Sequence, residues 1–328
     1  MVRELPEGID PEWADGPVFR LAAATARNAR RRNEDAIGLS GWVLSGEPGF
    51  VVDLTVPTER HPSDAPPDSA AGAAAFGGAR RPVLVAVTDG VGGAPDGDVA
   101  ARLGAQILTA PAEFPEDEAA QSGKQALGER FERADAAIRE AGRDGRSGMA
   151  CSAALIEFRP DGTALIGHTG DVRVYRAAES YVGQLTEDHR SLLDEGAITR
   201  CIGGLHRTTS SKPEVATLRL GIADRFILCS DGIHDVLPLA EIRRCALLAE
   251  PRDAAEALVA AASASAQDTG HGDNATVAVI DVLYGGQRVP TSPSNQRGLA
   301  PQPASAGDTA DPTPSEARRH GIRRRKKS

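Results

Sequence analysis

Val83-Leu84-Val85-Ala86-Val87-Thr88-Asp89-Gly90-Val91-Gly92-Gly93 is an apolar, β-branched run that stops at a carboxylate beside glycines. The run has the length and composition of a strand, and the Asp-Gly pair after it reads as a turn. The pattern recurs along the chain. Arg225-Phe226-Ile227-Leu228-Cys229-Ser230 runs into Asp231-Gly232, and Gly272-Asp273-Asn274-Ala275 leads into the apolar run 276–282. Asn33-Glu34-Asp35-Ala36 precedes Ile37-Gly38-Leu39. Taken singly, each Asp reads first as a turn residue. Four of them at strand ends change the reading, because carboxylates gathered in one place repel one another by several kcal/mol at low effective dielectric (about 4 kcal/mol per close pair). A fold that collects them needs cations, and hard ions such as Mg²⁺ or Mn²⁺ take oxygen ligands. Glycine beside Asp89 lets the backbone approach, so a main-chain carbonyl is available as a further ligand.

Working outward, 154–158, 164–167 and 172–175 also have strand character. Residues 124–141 place Leu127, Phe131, Ala134 and Ile138 on one helical stripe, and 254–266 do the same with Ala254, Leu258 and Ala261. A third helix is expected to begin after Asp98 as N-cap and to carry Leu103, Ile107 and Leu108. Strand runs interrupted by paired helices predict an α+β fold, an antiparallel sandwich flanked by helices, rather than alternating βαβ units.

Residues 18–284 are expected to form one folded domain. Residues 1–17, an Ala/Pro-rich insertion at about 60–81 and a tail over 285–328 are expected to be flexible, since none has enough apolar area to offset chain entropy. The tail ends in Arg323-Arg324-Arg325-Lys326-Lys327, which suits an anionic surface. The formal net charge of −9 argues against a general nucleic-acid binder. No apolar stretch is long enough to span a bilayer, residues 1–17 lack the apolar core of a secretory leader, and a cytoplasmic protein is expected. The four cysteines, Cys151, Cys201, Cys229 and Cys245, are scattered and read as buried hydrophobes in a reducing compartment. No His spacing supports zinc, and there is neither a P-loop nor a G-x-S-x-G elbow.

Six segments in order, Arg30 to Ala36, Thr88 to Gly93, His168 to Tyr175, Leu185 to His189, Ser230 to Leu237 and Gly272 to Thr276, resemble the metal-dependent serine/threonine protein phosphatases of type 2C. The resemblance covers roughly residues 20–284. It implies a layered α-β-β-α sandwich with two Mn²⁺ or Mg²⁺ ions at one edge and, in many members, a third. On it, Asp35, Asp89, Asp231 and Asp273 fall on metal ligands and Gly90 on a carbonyl ligand. Glu34 falls on a position that holds metal-bound water. Arg30 falls on the phosphate-binding arginine, Asp171 and Asp235 on ligands of the third ion, and Asn274 on a residue that orients its neighbouring carboxylate. The implied reaction is hydrolysis of phosphoserine or phosphothreonine by an activated water, with phosphorylated proteins as substrates, a Ser/Thr kinase as antagonist and a monomer as the working form. The simple layout suits a bacterial enzyme and resembles phosphatases linked to secretion-system regulation.

Four departures accompany the match. The spacing from Asp35 to Asp89 is long. The segment between His189 and Cys201 is shorter than a full flap. Val91 stands where many members have a histidine, and Val172 and Cys151-Ser152-Ala153 replace a serine and a Gly-Thr-Thr-like run. Arg173 is expected to pair with a carboxylate, His189 to be a satisfied turn residue, and Arg31 and Arg32 to be solvated. Two alternatives stay open: a phosphatase of small phosphoesters, and an inactive binder of phosphoproteins.

Overall fold

A computed structural model describes residues 17–46, 49–57, 82–111, 123–143, 148–178, 181–193, 197–204, 211–269 and 272–284. The expected flexible segments, save Pro17, lie outside the described residues. The described residues all belong to one compact unit, Met1–Arg288.

In chain order the described elements are β1 (Pro17–Ala26), β2 (Asp35–Leu39), β3 (Trp42–Leu44), β4 (Gly49–Pro57), β5 (Val83–Gly90), α1 (Gly97–Leu108), α2 (Gly123–Ala141), β6 (Ala150–Phe158), β7 (Thr163–Thr169), β8 (Arg173–Ala178), β9 (Tyr181–Gln184), β10 (Ile202–Gly203), β11 (Glu214–Arg219), β12 (Arg225–Cys229), α3 (Asp231–His234), α4 (Leu239–Ala246), α5 (Pro251–Thr269) and β13 (Ala275–Tyr284). They form two antiparallel sheets. One has the order β4-β1-β13-β12-β8-β9; the other has β11-β7-β6-β5-β2-β3, with β10 beside β6.

The three apolar clusters explain why the strands read as continuous hydrophobic runs. Val83, Val85 and Val87 of β5 join Phe19, Ile156, Phe158, Phe226 and Ile280 between the sheets. Leu84 and Ala86, from the other face of the same strand, pack with Leu108, Leu127, Phe131 and Ile138 of α1 and α2. On the opposite side, Ile227, Val277 and Val279 meet Ile242, Cys245 and Leu258 of α4 and α5. Each central strand is therefore buried on both faces, and an alternating polar pattern never develops. The resulting order of layers is helix, sheet, sheet, helix, as expected.

Two elements differ from expectation. Helix α1 starts at Gly97 with Asp96 as N-cap, in a left-handed conformation, and Asp98 lies in the first turn instead. Packing decides this, because a Cβ on Gly90 would meet the Gly97 backbone at 2.6–2.8 Å, so the helix must enter at a glycine laid against a glycine. Strand β1 is central to its sheet, paired with β13 and β4, although its Ala-rich sequence carries little strand signal.

Candidate active site

Strand register assembles the carboxylates. Asp35 on β2 stands directly opposite Asp89 on β5, and Asp89 stands opposite Ser152 on β6. Asp231 opens α3 immediately after β12, and Asp273 precedes β13, which pairs with β12. Ser230 links the two sheets' contributions. Its hydroxyl donates to Asp35 Oδ2 at 2.9 Å and accepts the Thr276 N–H at 3.0 Å.

These elements surround a cleft of about 310 Å³ lined by Arg30, Glu34, Asp89, Gly90, Val91, Asp171, Asp231 and Asp273, with Ala197, Ile198 and Cys201 along one edge. Asp35 lies behind Asp89, buried, and its Oδ1 has no hydrogen-bond partner. Asp235 is not in the cleft. It lines a neighbouring cavity of about 390 Å³ and pairs with His234 at 3.0 Å.

Concentrated negative charge shows in the protonation of the cluster. Burial, only partly offset by hydrogen bonds from Thr276 and Ser230, pushes Asp35 up to about 6. Withdrawal from water and then the charges of Asp171 and Asp273 push Asp231 up to about 8. Asp89 is raised for the same reason, burial first and then repulsion, most strongly from Asp35. Burial also raises Glu34. Asp235 behaves oppositely: burial opposes its ionisation, but His234 and Arg190 outweigh burial and hold it at about 2.

Arg30 enters from the β1–β2 loop and donates to Asp273 Oδ2 at 2.5 Å. Asn274 builds that loop. Its side-chain amide donates to the Arg27 and Arg32 carbonyls at 2.9 and 3.0 Å, and its Oδ1 accepts the Glu34 N–H at 2.8 Å. Only its backbone N–H touches the neighbouring carboxylate, at 2.8 Å to Asp273 Oδ1. The Asn274 side chain thus positions Arg30 and Glu34, and the contact to Asp273 is a main-chain one.

Arg173 makes a two-pronged ion pair with Asp188 at 2.8 and 2.7 Å. His189 accepts the Gly170 N–H at 3.0 Å and donates its own N–H to the Gly170 carbonyl at 2.8 Å, so it latches a turn. Arg31 and Arg32 are exposed, and Arg32 reaches Asp98 at 3.6 Å. All four cysteines are buried and none is in a disulfide.

Three residues at the site were not singled out by the sequence. Ser230 ties Asp35, and the Ser152 hydroxyl donates to Asp171 Oδ1 at 2.7 Å. Arg190 reaches Asp171, Asp231 and Asp235 together. The one available signal for Arg190 was its place directly after the Leu185 to His189 motif.

Among the described residues, no three His, Cys, Asp or Glu side chains close around a single point as they stand. Two guanidinium groups hold them apart, Arg30 at Asp273 and Arg190 at the Asp171 side. The donor set still fits hard divalent cations, since the cleft's acidic groups are all oxygen donors and the partnerless Asp35 Oδ1 lies buried beside them. Among the described residues, no helix is long and apolar enough to cross a membrane.

Comparison with known proteins agrees with this fold. The chain is 29% identical over 236 residues to the serine/threonine protein phosphatase PstP of Mycobacterium tuberculosis, a match that covers 63% of this chain and 41% of that protein. The chain thus spans about two fifths of the length of the curated relatives it matches. A solved structure of PstP/Ppp from Mycobacterium tuberculosis superposes with a TM-score of 0.59 at 23% identity, covering 81% of this chain and 100% of that one. The catalytic domain of PstP in complex with two manganese ions gives 0.57 at 24%, covering 81% and 99%. PppA, a key regulatory component of T6SS in Pseudomonas aeruginosa, gives 0.56 at 24%, covering 81% and 98%. The model of the family described as protein phosphatase 2C matches residues 66–269, and the chain belongs to that family.

Proposed function

We propose that this chain is a metal-dependent protein-serine/threonine phosphatase. The observation that carries the reading is the cleft in which Arg30 faces Asp89, Asp231 and Asp273 from separate strand ends, with the partnerless Asp35 oxygen behind them. Membership of the family and likeness to PstP support the same activity. Two Mn²⁺ or Mg²⁺ ions, as in the manganese complex of the PstP catalytic domain, would supply positive charge and an acidified water. Asp35, Asp89, Asp231, Asp273 and the Gly90 carbonyl would hold them, with Glu34 retaining water at their edge. Arg30 exchanges Asp273 for phosphoryl oxygens, which its planar fork suits. The phosphorus–serine oxygen bond breaks as the new phosphorus–oxygen bond forms, and the products are inorganic phosphate and a free hydroxyl. Val91, on the cleft wall, has no proton to give, so the leaving oxygen takes its proton from water or from another group of the cleft.

The substrates are phosphoproteins made by a Ser/Thr kinase, and the buried cysteines, none in a disulfide, suit a reducing cytoplasm. Asp231→Asn is expected to lower Mn²⁺-dependent hydrolysis of para-nitrophenyl phosphate at least about a hundredfold while circular dichroism stays unchanged, since it removes a direct ligand. Undiminished turnover would remove the metal assignment. A phosphopeptide panel with Mn²⁺ or EDTA then separates the readings. Hydrolysis of small esters but no peptide would point to the small-molecule alternative, and phosphopeptide binding without turnover to an inactive binder.

A further inference from the structure

We infer that Arg190 is a built-in cation of the acidic cluster, occupying the space between Asp171, Asp231 and Asp235 so that this chain takes two divalent ions and excludes a third. The inference rests on the metal-centre reading above and concerns the Asp171 side of the cluster, which shares Asp231 with that centre.

Three carboxylates facing one another are a donor set for a hard cation. Here they are spread across the width of a guanidinium. Arg190 Nε donates to Asp171 Oδ2 at 2.9 Å, Nη1 to Asp235 Oδ2 at 2.7 Å, and Nη2 lies 3.4 Å from Asp231 Oδ2. The second oxygens are also taken. Asp171 Oδ1 accepts from Ser152 at 2.7 Å, and Asp235 Oδ1 lies 3.0 Å from His234 Nδ1. Three of the four oxygens of Asp171 and Asp235 therefore accept from protein donors, and the fourth faces the His234 ring. An ion entering there would have to displace an arginine fork that is mostly buried, its side chain 23% exposed.

The backbone holds the fork in place. Arg190 bridges Ile198, Ser191 N–H donates to the Ala197 carbonyl at 2.8 Å, and Thr199 N–H donates to the His189 carbonyl at 2.7 Å. His189 is latched in turn to Gly170, next to Asp171. The short segment after His189 thus delivers a fixed positive charge to the cluster. It also carries Ala197 and Ile198 to the cleft edge. A guanidinium is weakly hydrated and always charged, so it fills such a place at lower desolvation cost than a divalent ion.

The test is the number of Mn²⁺ ions bound per full-length chain, measured by equilibrium dialysis with metal analysis at millimolar Mn²⁺. Wild type is expected to bind two. Arg190→Ala is expected to bind three, and Arg190→Lys, which keeps a positive charge, to stay at two. Three ions on wild type, or two on folded Arg190→Ala, would overturn the inference. If Arg190→Ala does not fold, Arg190→Gln, which keeps the bulk and loses the charge, is expected to bind three, and two ions on it would overturn the inference. Fewer than two ions on wild type would instead overturn the two-ion centre on which the inference rests.

Discussion

Arg30 meets two demands with one side chain. It neutralises Asp273, and it is the cleft's exposed donor for an incoming phosphoryl group. Because hydrogen bonds to charged groups contribute about 1.5–3 kcal/mol, Arg30→Ala is expected to raise KM for a phosphopeptide roughly tenfold or more, with a smaller change in kcat. An unchanged KM would place phosphate recognition elsewhere. His168 poses a separate problem at the same scale. It is 1% exposed, stacks on His189 with centroids 4.8 Å apart, and neither ring nitrogen has a hydrogen-bond partner. Burial, then the neighbouring His189 charge, lowers it to about 4, with Asp188, Glu214 and Asp171 only partly opposing. The folded value lies below the unfolded one, so the fold prefers the neutral ring. That preference leaves stability intact above about 6.5 and erodes it by about 1.4 kcal/mol per pH unit down to about 4. His168→Phe should therefore gain melting temperature over wild type as pH falls through that window. Parallel curves for the two proteins would exclude the effect.

At the scale of elements, the site depends on how strand ends meet. Asp231 can stand beside Asp273 only because α3 begins against the residues leading into β13. A Cβ on Gly232 would lie 1.9 Å from the Asn274 carbonyl oxygen and 2.8 Å from its carbon, both backbone atoms that cannot swing away. Gly232→Ala is accordingly expected to destabilise by about 1–3 kcal/mol, as overpacking does, and to lower the melting temperature by roughly 3–10 °C. It should also depress Mn²⁺-dependent turnover by displacing Asp231. A melting curve superimposable on wild type would show that the two segments are free to part. Elements with a strong local signature were legible in the chain: β5, β6, β12 and β13 from their apolar runs, α2 from Leu127, Phe131, Ala134 and Ile138. Those without one were not. Alanines in β1 carry no strand preference, and its place is set by ladders to β13 and β4.

Across the whole molecule, two sheets bring like charges to one edge, and the apolar layers must hold them there. Burial and mutual repulsion keep Asp35, Asp89 and Asp231 above ordinary carboxylate values, so ionising them strains the fold. A cation that binds the folded chain and not the unfolded one relieves this, by about 2.7 kcal/mol at a hundred times its Kd. Millimolar Mn²⁺ is therefore expected to raise the melting temperature by roughly 5–10 °C, and EDTA to reverse the rise. A melting temperature indifferent to both would show that the cluster is stable without ions. The chemistry of the donors, oxygen-rich and tied to Asp-Gly strand ends, was determined by the sequence alone, because a strand and the turn that stops it are written within a few neighbouring residues. Which carboxylates share the cleft was decided only by the tertiary structure. Register sets Asp35 opposite Asp89, and Arg190 meets Asp235 across 45 residues and ties it to Asp171 and Asp231. Such pairings join groups far apart in the chain, where no local period or spacing records who will be a neighbour.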